Sequence, residues 1–326
     1  MFDQINWIRP SKKFPEGMKE YQKNKILELT PIEEKESYNW LKAMKSTLEN
    51  LPSEVKVLHI GDRGGDFYEF IDACIENKTS FLVRAAYNRK LINSGYSFDK
   101  IKDSDIKGYA DIDIPRDSRN NNKPYKTKMA IKYLNIDIIK PRNKTGKTES
   151  ANVNLIYVYE VTPKENKAPI EWFLMTDDII DSTKTAFKYV QYYVQRWKIE
   201  RFHYVLKSGC NIEKIELRSA DKLSKAALIY SIIAVKIMNL TYIARVEPEK
   251  MCDTALEETE WKTLYCIANK TSIEPNLPYS IKEAVNYLGL IGGYKRAPSD
   301  GPPGLEVIWN GILKLKAFLE YKQYFN

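Results

Sequence analysis

Apolar residues change their spacing repeatedly along the chain, and each change marks a predicted element. Behind the acidic run Glu33-Glu34-Lys35-Glu36, residues Trp40, Leu41, Met44 and Leu48 recur at helical intervals, predicting an amphipathic helix that opens near Pro31. Val55 to Ile60 is a short apolar run that stops at Gly61-Asp62-Arg63-Gly64-Gly65, the pattern of a strand ending in a turn. Phe67-Tyr68-Glu69-Phe70-Ile71 begins a second helix, and Ser80 to Ala85 a second strand. Strand, turn, helix and strand in this order predict an α/β unit. From Tyr87 to Ile170 the period drops to two: Ile112 and Ile114, then Met129, Ile131 and Tyr133, then Val153, Leu155, Tyr157 and Tyr159. Polar, Asn- and Lys-rich loops separate these runs, which predicts an antiparallel β block. Glu171 to Thr176 reads as a strand leading into one helix from about Thr183 to Leu206. Beyond Gly209 the pattern is mainly helical. It includes a long apolar helix from Leu223 to Ile243 and an amphipathic one from Leu305 to Leu319, set off by Asp300-Gly301-Pro302-Pro303-Gly304. The first ten residues, with Ile5, Trp7 and Ile8 before Pro10, read as the end of a strand.

A chain of 326 residues with 43% hydrophobic side chains has room for two or three packed units. No unbroken run of 18 or more apolar residues occurs, so no membrane span is expected. Met1-Phe2-Asp3-Gln4 offers no basic or apolar leader, and a cytoplasmic, nucleoid-associated location is expected. Cys74, Cys210, Cys252 and Cys266 lack any C-x-x-C spacing and read as buried thiols in a reducing compartment. The net charge of +8 is unevenly placed: Arg119 to Lys147 holds nine basic residues and a single acid, Asp137. Such a stretch suits a polyanionic partner, and it equally reads as a solvated lysine-rich loop.

Tyr193-Val194-Gln195-Arg196-Trp197-Lys198-Ile199-Glu200 continues through Arg201 and Phe202 to Lys207. On one straight helix, Tyr193, Arg196, Glu200 and Lys207 fall within an arc of about 60°. Val194, Ile199, Phe202, Val205 and Leu206 lie opposite. A phenol, a guanidinium, a carboxylate and an ammonium in one row suit phosphoryl transfer, in which a carboxylate holds a divalent cation and the cations position phosphates. The same row also fits an ordinary amphipathic helix with an Arg196–Glu200 surface pair worth a few tenths of a kcal/mol.

The spacing Tyr-x2-Arg-x3-Glu-x6-Lys resembles the signature of the DDE cut-and-paste bacterial transposases of the insertion-sequence-four family, the family of the transposon-five transposase. Three further matches follow the family's order. Asp62 in Ile60-Gly61-Asp62-Arg63-Gly64-Gly65-Asp66 stands where the second catalytic aspartate belongs. Trp172 in Glu171-Trp172-Phe173-Leu174 is similar to a tryptophan that stacks on a flipped base during hairpin formation. Asp300-Gly301-Pro302-Pro303-Gly304 with Val307-Ile308-Trp309-Asn310-Gly311 resembles the C-terminal dimerisation region. The resemblance implies an α/β, ribonuclease-H-like fold with an inserted antiparallel β subdomain and a helical C-terminal domain. Its parts would be residues 1–86 and 171–212 for the core, the latter with the catalytic helix, 87–170 for the insertion, and 213–326 for the dimerisation region. It implies Asp62 and Glu200 as catalytic carboxylates ligating Mg²⁺ or Mn²⁺. Tyr193, Arg196, Lys207, Trp172, Arg84, Arg63 and Trp197 would contact DNA, both transposon ends and target. The family's reactions are hydrolysis at the transposon end, attack by the freed 3′-hydroxyl to form a hairpin, hairpin opening and strand transfer.

The family also has a first aspartate, well upstream of the second, at the end of its opening strand. Among the 61 residues before Asp62 the only aspartate is Asp3. The first strands and that aspartate are therefore expected to be missing, as in an N-terminally truncated copy. Such a chain would hold its cation weakly, be inactive alone, and pair either with itself or with a full-length transposase through its C-terminal helices. A different class, an unrelated metal-dependent nuclease, needs a third carboxylate such as Asp66 or Glu69 to join Asp62 and Glu200.

Overall fold

Strands whose side chains are buried on both faces read as near-continuous apolar runs, and the central strands here are of that kind. The computed structural model describes residues 14–15, 17–114, 125–163, 169–295 and 301–325. The expected opening strand, the 119–124 part of the basic stretch and Asp300 lie outside them. The chain divides into two compact units, Phe2–Arg196 and Trp197–Asn326.

The first unit contains helices α1 (Glu20–Leu29), α2 (Tyr38–Asn50), α3 (Tyr68–Glu76), α4 (Ser97–Lys102) and α5 (Thr183–Val194). Its strands are β1 (Leu58–Gly61), β2 (Ser80–Arg84), β3 (Gly108–Ile114), β4 (Tyr125–Ile139), β5 (Ser150–Glu160) and β6 (Glu171–Thr176). They form one sheet in the order β1-β2-β6-β5-β4-β3, with only β1 and β2 parallel. The fold is mixed α/β and ribonuclease-H-like, and the antiparallel strands β3–β5 extend the same sheet as β1, β2 and β6. Alternation along each strand feeds two cores. Phe81, Val83, Leu155, Phe173 and Met175 face α2 and α3 with Met44, Tyr68, Phe70 and Ile71. Leu82, Ile156, Val158, Trp172 and Leu174 face the other way, with Ala186, Val190 and Tyr193 of α5.

The helix expected from Pro31 begins at Tyr38, after a single 3₁₀ turn over Ile32–Glu34. The helix expected to run unbroken from Thr183 to Leu206 is interrupted. Ser182 caps α5 by accepting from the Thr185 amide. At its other end the Gln195 and Arg196 amides bond back three residues, to the Tyr192 and Tyr193 carbonyls, both at 3.0 Å. Helix α6 (Trp197–Tyr204) follows, then a π-helical turn, Val205–Gly209. A straight helix would hold Tyr193 and Val205 about 120° apart. The break frees each to enter its own core, Tyr193 in the sheet unit and Val205 in the helical one.

The second unit is all helical: α6, α7 (Ala220–Val246), α8 (Glu258–Asn269), α9 (Ile281–Gly292) and α10 (Leu305–Phe325). Its core gathers Ala234, Ile237, Leu240, Trp261, Leu264, Leu288, Ile308 and Ile312. Helices α9 and α10 meet backbone to backbone. A Cβ on Gly292 would stand 1.7 Å from the Val307 carbonyl oxygen, and one on Gly311 2.0 Å from that of Leu288. One described helix, α7, has the length and composition that a membrane span needs, as core helices of other folds also do. Lysines and serines (Lys225, Ser231, Lys236) interrupt its apolar runs, so it holds no unbroken run of 18 apolar residues.

Candidate nucleic-acid interface

The β1–β2 ladder ends at Gly61 opposite Val83, and the next residue on each strand is a candidate, Asp62 and Arg84. Asp62 caps a 3₁₀ turn, Arg63–Gly65, with Oδ1 accepting from the Gly64 amide at 2.8 Å. Asp62 and Arg63 are both exposed on this turn. Arg84 is half-buried and donates from Nη2 to the Glu171 carbonyl at 3.1 Å. Burial pushes its guanidinium below the usual arginine range, and the like charges of Arg63 and Arg196 push it further down. The Tyr193 hydroxyl, which hydrogen-bonds it, works in the opposite direction.

Tyr193 is the hub of this corner. Its ring meets Trp172 edge-on, with centroids 5.5 Å apart, and the Arg196 guanidinium carbon lies 5.8 Å from its centroid. The guanidinium groups of Arg84 and Arg196 thus meet one phenol that is itself buried, and Arg63 lies close enough to Arg84 to act on its charge. Guanidinium forks match phosphate oxygens two at a time, so such a corner suits a polyphosphate backbone. Trp172 keeps only 8% of its surface open, so it shows the corner an edge and braces Tyr193. In the second unit, Trp197 opens α6 and Glu200 lies one turn on, both half-buried. Lys207 projects from the π turn, with Nζ 2.7 Å from a Glu213 carboxylate oxygen. The four-residue row on one straight helix is therefore replaced by two helices and a π turn.

A family model of the transposase DDE domain matches residues 37–235, and one of the Tn5 transposase dimerisation domain matches residues 232–326. The chain belongs to the DDE transposases. Transposases of this kind act on DNA, and the DDE match takes in both Asp62 and the run from Tyr193 to Lys207. The dimerisation match begins inside α7 and reaches the chain's last residue.

DDE transposases generally use a divalent cation, but the described residues of this transposase do not assemble a place for one. Among them no group of three or more His, Cys, Asp or Glu side chains could hold a metal ion. Asp66, expected as a possible third carboxylate, is committed elsewhere. Its two oxygens accept from the Ala86 and Tyr87 amides and from Nε and Nη2 of Arg89, which uses its four lone-pair positions. Glu69, the other candidate, is buried beside Lys144 at 3.8 Å. The basic stretch is also less open than its composition suggests. Lys126 pairs with Asp113, Lys140 with Glu149, Lys144 with Glu69 and Lys147 with Glu76. Acids on α3 answer two of these lysines, and Asp72 accepts from the Lys147 and Thr148 amides. Lys144 and Lys147 thus fasten a loop to α3. The Asp66–Arg89 pair and the Glu171 carbonyl behind Arg84 were not foreseen from sequence. Their only trace there is an acid closing a Gly-Gly turn.

Proposed function

We propose that the corner formed by Arg63, Arg84, Arg196, Tyr193 and Trp172 holds the phosphate backbone of transposon-end DNA. The observation that carries this reading is the meeting of Arg84 and Arg196 at the buried Tyr193, with the charge of Arg63 acting on Arg84. Arg84 and Arg196 grip phosphates, the Tyr193 hydroxyl adds a hydrogen bond to one of them, and Trp172 keeps Tyr193 in place beside a flipped base. Trp197 and Lys207 are further contacts to DNA. Asp62 and Glu200 are the carboxylates that this chain contributes to a Mg²⁺ or Mn²⁺ centre for end cleavage, hairpin formation and strand transfer. Two carboxylates can hold one Mg²⁺ with water filling its other positions but cannot also bridge a second ion, so the chain by itself binds the metal pair weakly and does not cut.

Two measurements test this. Arg84→Gln is expected to weaken binding of a short transposon-end duplex about tenfold and lower the slope of log affinity against log salt by about one, the signature of one lost phosphate contact. Unchanged affinity and slope would remove the phosphate reading. The purified chain with Mg²⁺ or Mn²⁺ is expected to leave that duplex intact, and metal-dependent nicking would show that its carboxylate set suffices.

A second reading concerns the partner. Leu313, Phe318, Tyr321 and Tyr324 are exposed on α10, within the dimerisation match. They offer an apolar face for a second transposase chain, either a copy of this one or a full-length enzyme that pairing with this chain would inhibit. Loss of strand transfer by a complete transposase on titration with this chain tests the latter.

A further inference from the structure

We infer that Asp66 is a positioning residue that fixes the distance between the turn bearing Asp62 and Arg63 and the strand end bearing Arg84. The inference rests on reading the arginine corner as a phosphate site. The β1–β2 ladder stops at Gly61 and Val83, one residue short of Asp62 and Arg84. Past that point no ladder bond sets how far apart the two loops stand. Asp66, 1% exposed, takes over that task. Its backbone closes the Asp62 turn, with its amide donating to the Arg63 carbonyl at 3.3 Å. Its carboxylate reaches across to the segment after β2, accepting from the Ala86 amide at 2.6 Å and the Tyr87 amide at 3.2 Å. Arg89, its side chain only 7% exposed, grips Asp66 through Nε and Nη2 and also donates to the Asp66 carbonyl at 3.1 Å. On the other side the Ala85 amide donates to the Phe173 carbonyl at 2.7 Å, and Arg84 itself donates to Glu171. Arg84 is therefore held from β6 on one side and from the Asp62 turn on the other. The second hold passes through one buried carboxylate.

The test uses the full chain and a fluorescent transposon-end duplex. Asp66→Asn combined with Arg89→Gln keeps an acceptor oxygen and removes both buried charges together. It is expected to keep the parent's circular dichroism while hydrogen exchange in segment 84–89 accelerates about tenfold and that of β4 and β5 stays unchanged. Duplex affinity is expected to fall about tenfold, and adding Arg84→Gln to this pair should cost nothing further, because the arginine is already out of place. Additive losses, or unchanged exchange in 84–89, would overturn the inference. Where the paired variant does not fold, Arg89→Lys takes its place. It keeps a cation opposite Asp66 without the two-pronged grip, and a roughly threefold version of the same pattern is expected. Unchanged exchange there overturns the inference equally. If Arg84→Gln alone leaves affinity intact, the phosphate reading falls, and the exchange of segment 84–89 separately decides the hold that Asp66 exerts.

Discussion

Leu174 and Ile232 are both apolar and both central in their elements, yet the fold treats them oppositely. Leu174 sits mid-strand in β6 with no exposed surface, while Ile232 sits mid-helix in α7 with 56% of its surface open. The contrast extends to the two units. The sheet of the first spends its apolar side chains on both faces, and it buries Asp66 against Arg89. The second keeps an apolar row outside: Leu228, Ile232, Val235, Tyr242 and Val246 recur along α7 at intervals of four, three, seven and four residues, and all are exposed. A contiguous row of that kind on a protein surface marks a place of association more often than an accident. The first unit is built to finish its own burial, and the second to be met by something else.

The sharpest way to break this comparison is to truncate both residues. Leu174→Ala is expected to cost about 2–5 kcal/mol in urea unfolding and Ile232→Ala less than about 0.5, since only the first leaves a cavity. Comparable losses would show that α7 is covered after all. Next in size, Phe318→Glu on α10 is expected to weaken self-association about tenfold by sedimentation, with the melting temperature of the monomer unchanged. A smaller effect sharpens the picture of the first unit. Asp177, just after β6, has its carboxyl pushed up to about 6, chiefly by burial and also by Asp178, against a hydrogen bond from the Phe81 amide. A carboxyl whose folded pKa is raised favours the folded state in its protonated form. Its contribution to stability is therefore greatest at low pH and falls as pH rises from about 4 to about 6, then stays level. Asp177→Asn is accordingly expected to be more stable than the parent by about 1 kcal/mol near pH 8, with the advantage gone near pH 4, by urea unfolding at both.

Strands β2 and β6, buried on both faces, were legible because Val, Leu, Phe and Met crowd them, and the part-buried edge strand β1 falls within a few residues of its expected run. The long β4–β5 pairing was visible as alternation. Helix α4 was not, being six residues inside a segment of β texture. The interruption at Gln195–Arg196 carries no Gly or Pro and so leaves no mark on the pattern; it follows from two cores claiming different sides of one stretch. Of the site, Arg84 could be placed from its strand end. Its like-charged neighbours could not, because Arg63, Arg84 and Arg196 are gathered by the sheet from three separate segments. The Asp66–Arg89 pair was hidden for the same reason, spanning 23 residues and a strand. Nor were the partners of Lys144 and Lys147 in the basic stretch legible, because Glu69 and Glu76 sit on α3, some seventy residues earlier in the chain.

Gly292 and Gly311 have a mechanical consequence. With no side chain between them, α9 and α10 interlock like meshed teeth, and neither can slip by a residue or roll without driving backbone into backbone. Whatever seats itself on the outer face of α10 must therefore accept the orientation it finds, and any push it exerts is delivered undamped to α9.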